Sequence, residues 1–240
     1  MSIIPSVRRI ASRTLDLFYP ASCVNCGAGG SWWCNRCRSR VELVTQDPCP
    51  RCMGFHPQQA SAHCHGTFQF CGIATTGYYH SKPLRKLITE VKYNGVTATG
   101  QDLERYLSYV LNTRTRSFPW AQESSLFIQP MPLAPERERE RGFNQAAWIA
   151  DRFKRTWLQD IPMLDVLVRH GSVTAQATLQ DKLLRTSNVQ GDFIALTPVR
   201  GSMILVDDVV TTGSTASEAA RALIRAGAYN VYLLTLAIGK

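Results

Sequence analysis

No segment of this chain approaches the run of about 20 apolar residues that a bilayer-spanning helix needs, and the amino terminus lacks the apolar core of a secretion signal. Membrane insertion is not expected, and a cytoplasmic location is. Cysteine is missing after Cys71: all eight lie between Cys23 and Cys71, six of them as Cys-x-x-Cys pairs at Cys23/Cys26, Cys34/Cys37 and Cys49/Cys52. Two nucleotide-binding signatures are also missing. There is no Gly-Lys-Ser/Thr to make a P-loop, and no set of three spaced glycines to make a dinucleotide-binding turn.

What is present begins with a chain of 240 residues, 45% hydrophobic, which suffices for one α/β domain and a small module. The boundary is expected at residue 71, giving a cysteine module over 1–71 and an α/β domain over 72–240. The formal net charge is +9. It divides into +4 before residue 72 and +5 in the longer remainder, so the module is the more basic per residue. Such a balance favours an anionic substrate or a polyanionic partner.

Thiols stay reduced in the cytoplasm, so three knuckles in one short module predict metal clamps rather than disulfides, and thiolate sets of this kind suit structural Zn²⁺. A redox Cys-x-x-Cys would occur once, beside a thioredoxin-like βαβ pattern that is absent. The simplest assignment gives one Zn²⁺ to Cys23, Cys26, Cys34 and Cys37. A second would use Cys49 and Cys52 with Cys64, closed by His63, His65 or Cys71. Spacing equally allows a cross-braced pairing of the first knuckle with the third. Trp32 and Trp33 beside Arg36, Arg38 and Arg40 suggest a stacking face for single-stranded nucleic acid. Alternatively, the tryptophans cover the metal site or dock on the larger domain. Upstream, Val7, Ile10, Thr14 and Leu17 predict a short amphipathic helix over 5–18 that packs on the next module.

From Gly72 the pattern turns to α/β. A strand over 73–79 precedes a helix that opens at Pro83-Leu84-Arg85 and ends in a turn at Lys92-Tyr93-Asn94-Gly95, and a second helix spans 101–112. A strand over 125–129 stops at Pro130-Met131-Pro132. The charge run from Glu136 to Arg141 then leads through Gly142-Phe143-Asn144-Gln145 into a helix reaching about Phe153. Further strands are expected at 163–168 and 231–238, with a polar arm over 172–192 carrying Thr174, Gln176, Arg185 and Asn188.

The most informative stretch is Ile204 to Ala216. Met203–Val206 reads as a buried strand, and Ala216–Ala226 as a helix ending at Gly227. Between them stand Asp207, Asp208, Val209, Val210, Thr211, Thr212, Gly213, Ser214 and Thr215. Hydroxyls, a glycine and a following helix N-terminus make an anion cradle that needs no Lys or Arg. Thr215 and Glu218 fit a capping box. Adjacent aspartates repel unless they face a polyol or a cation, and a ribose 5-phosphate, with or without Mg²⁺, meets both demands.

These residues resemble the PRPP-binding motif of type I phosphoribosyltransferases. The chain as a whole resembles the ComF family, the group that includes ComFC and GntX proteins associated with DNA uptake and use. The likeness rests on the Cys knuckles, Pro83-Leu84-Arg85 with Lys92-Tyr93, Pro130-Met131-Pro132-Leu133, Arg141-Gly142-Phe143-Asn144-Gln145, the arm from Gln176 to Asn188, and the Asp207–Thr215 loop. One departure is Ser61, where the family commonly has the first Cys of a fourth knuckle ending at Cys64. The resemblance implies a type I phosphoribosyltransferase fold, a mainly parallel sheet with helices on both faces, behind a zinc-binding module. It also implies PRPP as ligand, Mg²⁺ accompanying it, and contacts from Lys92, Arg137, Arg141, Asn144, Gln145, Gln176 and Arg185. The expected roles are two: phosphoribosyl transfer in DNA uptake and use, or PRPP sensing and single-stranded DNA binding without turnover. Other DNA-uptake proteins are the expected partners.

Overall fold

A computed structural model describes residues 20–55, 67–94, 97–169 and 192–239. The expected helix over 5–18 lies outside the described residues, as do Ser61, His63, Cys64 and His65, and Gln176 and Arg185 with the rest of the arm up to residue 191.

In chain order the elements are α1 (Asn35–Arg38), β1 (Gly72–Tyr78), α2 (Lys82–Asn94), α3 (Gly100–Thr113), β2 (Leu126–Pro130), α4 (Pro135–Arg141), α5 (Gln145–Thr156), β3 (Leu167–Arg169), β4 (Phe193–Ala195), β5 (Gly201–Val210), α6 (Ser214–Arg225) and β6 (Ala228–Ile238). Four strands form one sheet in the order β1-β6-β5-β2, every neighbouring pair parallel. The apolar runs of β5 and β6 fill its centre, where both faces are covered. Pro130 is accommodated because β2 is an edge strand, where a missing N–H need not break a ladder. Of the strand expected at 163–168, Met163 makes a single parallel bridge to Ile128 of β2, and the strand proper is Leu167–Arg169, which pairs antiparallel with β4 in a separate ribbon.

Helices cover both faces. On one, α2 contributes Leu84, Leu87, Ile88 and Val91 at helical spacing, all buried, with Leu103, Tyr106 and Leu107 of α3 and Ile149 and Phe153 of α5. Each such side chain stabilises the fold by roughly 1.5–3 kcal/mol. On the other face, Ala216, Ala219, Ala220 and Leu223 of α6 pack on Leu205, Val231 and Leu233.

The cysteine module shares the first of these cores. Trp33 is wholly buried, its ring edge-on to Tyr106 at 5.1 Å. Its amide donates to Asp102 at 2.9 Å, and Asp102 also pairs with Arg38 at 2.8 Å and Arg105 at 2.9 Å. The expected nucleic-acid face is therefore not intact: Trp33 and Arg38 serve docking, leaving Trp32 half-buried and Arg36 and Arg40 exposed. A buried carboxylate on α3 takes the Trp33 amide and Arg38 of the module as partners beside its own helix's Arg105, which is why docking wins over exposure.

Candidate functional site

β5 does not stop at Val206. Val209 and Val210 stay in register with Ala237 and Ile238 of β6, so the strand carries both aspartates to its carboxyl end. The loop proper is only Thr211–Gly213. Helix α6 then starts at Ser214, two residues earlier than expected, with Gly213 as its N-cap in the left-handed region at φ 77°. No side chain caps this helix, so the Thr215/Glu218 box does not form. Of the first-turn amides, that of Ser214 makes a long 3.5 Å contact to the Thr212 hydroxyl, and the glycine cap itself offers no acceptor, which suits an external anion. The Thr212 and Ser214 hydroxyls stand 3.2 Å apart beside them.

The two aspartates part company because successive strand residues point to opposite faces. Asp208 is buried and meets the Lys92 ammonium of α2 at 2.7 Å. The expected turn at Lys92-Tyr93-Asn94 is the last turn of α2 instead, and that extension delivers the lysine. Asp207 is half-buried, and its Oδ1 accepts the Asp208 amide at 2.8 Å. Burial, then the neighbouring Asp208 charge, pushes Asp207 up to about 7 against the opposing pull of that amide, Lys92 and Arg169. The pair therefore does not present two equivalent carboxylates to one ribose.

The carboxyl ends of the strands open on a cleft of about 340 Å³, where ligands of open parallel sheets bind. It brings together Asp207 to Thr215 with Lys92, Arg137, Arg141 and Gln145. Helix α4 explains the arginines: Arg137 and Arg141 are one turn apart and face the cleft, while Arg139 reaches Glu136 at 3.6 Å. Asn144 is not in the lining. It is the N-cap of α5, accepting from Ala146 at 2.8 Å and Ala147 at 3.2 Å, and it donates to the Met131 carbonyl. Sequence reasoning missed Arg169, which lines the cleft from the end of β3. Its signal was a cation one residue past an apolar run. Among the described residues, buried polar atoms without a hydrogen-bond partner include Arg141 Nη1 and Gln145 Oε1, both on residues that line this cleft.

A second site lies in the cysteine module. The sulfurs of Cys23, Cys26, Cys34 and Cys37 all lie within 4.8 Å of one another, a cluster that can hold a metal ion. Cys26 and Cys34 are 3.7 Å apart, close to the ~3.8 Å edge of a tetrahedron with zinc–sulfur bonds of ~2.3 Å. Burial raises the Cys23 thiol, but the amides of Cys34, Cys26 and Asn25 outweigh it and bring it down to about 6. Burial and the neighbouring sulfurs push Cys37 up to about 12. Four sulfurs so close cannot all be thiolate without a cation among them. Cys49 and Cys52 form a separate turn, closed by the Cys49 amide on Gly54 at 2.8 Å and the Met53 amide on Cys49 at 2.9 Å. Cys71 does not join them among the described residues. Its Sγ donates to Asn230 Oδ1 at 3.1 Å, and its amide to the Val231 carbonyl, at the start of β6.

No protein-family model matches the sequence. The chain is 31% identical to the DNA utilization protein YhgH of Escherichia coli (strain K12) over 214 residues, 86% of this chain and 91% of that protein. It is 25% identical to the competence protein ComFC of Bacillus subtilis (strain 168) over 81% of this chain and 78% of that one. Competence protein F of Haemophilus influenzae is 27% identical over 85% and 84% of the two chains. A solved structure of the allosteric regulatory enzyme of purine biosynthesis overlaps 58% of this chain and 26% of its own, at 17% identity and a TM-score of 0.33.

Proposed function

Because the chain belongs to the ComF family of competence and DNA utilization proteins, we propose that its cleft binds PRPP or a related phosphorylated ribose in the service of DNA uptake and use. One observation carries the reading. The uncapped first turn of α6 and the hydroxyls of Thr212 and Ser214 share a cleft with Lys92, Arg137, Arg141 and Arg169, where Arg141 and Gln145 keep buried polar atoms unpaired. The 5-phosphate belongs at Thr211–Thr215, held by amides and the helix dipole. The ribose hydroxyls belong at Asp207. A pyrophosphate belongs between Arg137 and Arg141, and Mg²⁺ would enter with it, nearest to Asp207, because Asp208 is already occupied by Lys92.

The cysteine cluster fits Zn²⁺ by donor type, number and spacing, with a structural role. It joins the module to the core through Trp33 and does not line the cleft.

Calorimetric titration of ribose 5-phosphate and PRPP tests the cleft. Asp207→Ala should weaken both ligands by about tenfold or more while inorganic phosphate still binds. Gly213→Val should weaken all three, since it strains the backbone at the N-cap. Wild-type affinity in the Gly213→Val chain would refute the assignment. Pyrophosphate release from PRPP in the presence of candidate acceptors separates a transferase from a sensor.

A further inference from the structure

The Cys49–Cys52 knuckle sits directly behind the anion loop. Met53 follows it at the tip of the turn, with φ 61°, the sole positive value for a non-glycine residue among those described. The side chain is nevertheless buried, 8% exposed, in the core cluster that contains Val210 and Ala216, the residues flanking the loop. A Cβ built on Gly213 would fall 2.5 Å from Met53 Cε, 3.1 Å from its Cγ and 3.2 Å from Phe68 Cε2. Phe68 is held there because its amide donates to the Arg51 carbonyl of the same knuckle at 3.2 Å. The missing side chain of Gly213 thus points at the knuckle. Two left-handed residues, Met53 and Gly213, lie back to back, one at the thiol turn and one at the N-cap whose amides form the cradle.

The geometry points to Met53 as a positioning residue for the phosphate loop: it touches no ligand, and it holds Gly213 in the left-handed conformation that aims the first-turn amides of α6 into the cleft. The inference rests on the loop reading above. It makes the third knuckle and the cradle one mechanical unit, joined by the Met53–Gly213 contact. A left-handed backbone disfavours a side chain, so a purely structural turn would place glycine at residue 53. Methionine there is explained by what its side chain reaches.

Glycine is therefore the informative substitution. Met53→Gly suits the observed φ and leaves the turn unstrained, so what it removes is the buried side chain that fills the space behind Gly213. Calorimetry with ribose 5-phosphate on the full, metal-replete chain should show affinity reduced by about tenfold, the loss expected for one misaligned charge-assisted bond. Met53→Leu, which conserves bulk, should stay within about threefold of wild type. In the unmodified chain, the Met53 ε-methyl NMR resonance, assigned by its loss in Met53→Leu, should shift on saturation with ribose 5-phosphate although no ligand atom reaches it. Wild-type affinity in Met53→Gly overturns the inference, and so does a methyl resonance that stays put at saturation. Failure of the wild-type chain to bind ribose 5-phosphate would instead strike the loop reading itself.

Discussion

Asp207 and Asp208 look alike in sequence and do different work. Asp208 is one half of a mostly buried ion pair with Lys92, so its removal would leave an ammonium with little solvent and no partner. Asp207 stands on the opposite strand face and titrates near neutrality, up to about 7 from an ordinary 3.8. The folded protein therefore keeps a proton on Asp207 that the unfolded chain has already lost, across the interval between those two values. Stability must fall as pH rises through that window, by at most about 1.4 kcal/mol per pH unit, and level off above about 7. Asp207→Asn removes the penalty while its side-chain oxygen can still accept the Asp208 amide. Urea denaturation at pH 5, 6 and 7.5 should show the variant gaining on wild type at each step; parallel curves would mean that Asp207 ionises freely in the native state.

At the scale of elements, the sheet is held at both ends by polar groups. At the carboxyl end the groups serve the cleft. At the amino end, Glu123 accepts from Ser202 of β5 at 2.6 Å and from Asn230 of β6 at 2.9 Å, and also from the Tyr232 hydroxyl. One loop carboxylate thereby ties the starts of the two central strands. The Ser202 and Tyr232 hydroxyls, with Asn230 behind them, hold Glu123 below its usual 4.5 against the opposing effect of burial. Its contribution is present above about 4.5 and is lost as pH falls through the depressed value. Glu123→Gln should lower the thermal midpoint at pH 7 by a few degrees. The gap from wild type should narrow in acid below pH 4.5. A constant gap across that range would show that packing, rather than charge, is responsible. The mixed run of α4 makes a related point, because its helical period sends Arg137 and Arg141 to the cleft and leaves the glutamates in solvent.

On the scale of the whole molecule, the cysteine module and the α/β domain are not separable bodies. Trp33 and Asp102 join residues 69 positions apart in a common core, so loss of the metal should be felt across the interface. A strong chelator under reducing conditions should lower the thermal midpoint on the order of 10 °C or more, given what structural metal contributes to small modules. Tryptophan emission should shift to the red as Trp33 leaves Tyr106, and Trp33→Phe should remove that shift. Metal analysis should give at least one equivalent of zinc. Unchanged emission and midpoint after chelation would mean that the four sulfurs are held by packing alone.

The strand–glycine–helix junction around Gly213 and the clustering of Cys23, Cys26, Cys34 and Cys37 were legible in the chain because both depend on local spacing: a strand, a glycine and a helix start within thirteen residues, or two cysteines three apart. The chain likewise announced helices and strands, whose apolar periods are short-range. Their ends run past the local pattern where tertiary packing decides them, as at Val209–Val210, drawn into β5 by β6, and at Tyr93–Asn94, the last residues of α2. Only the folded structure could separate Asp207 from Asp208, take Trp33 and Arg38 from a supposed nucleic-acid face, bring Arg169 to the cleft, and set Met53 behind Gly213. Each of those outcomes depends on which surfaces meet across the sheet and on the burial that follows. A sequence records residue order, while the energy of a charge or an aromatic ring depends on neighbours as distant along the chain as Lys92 is from Asp208 or Trp33 from Tyr106.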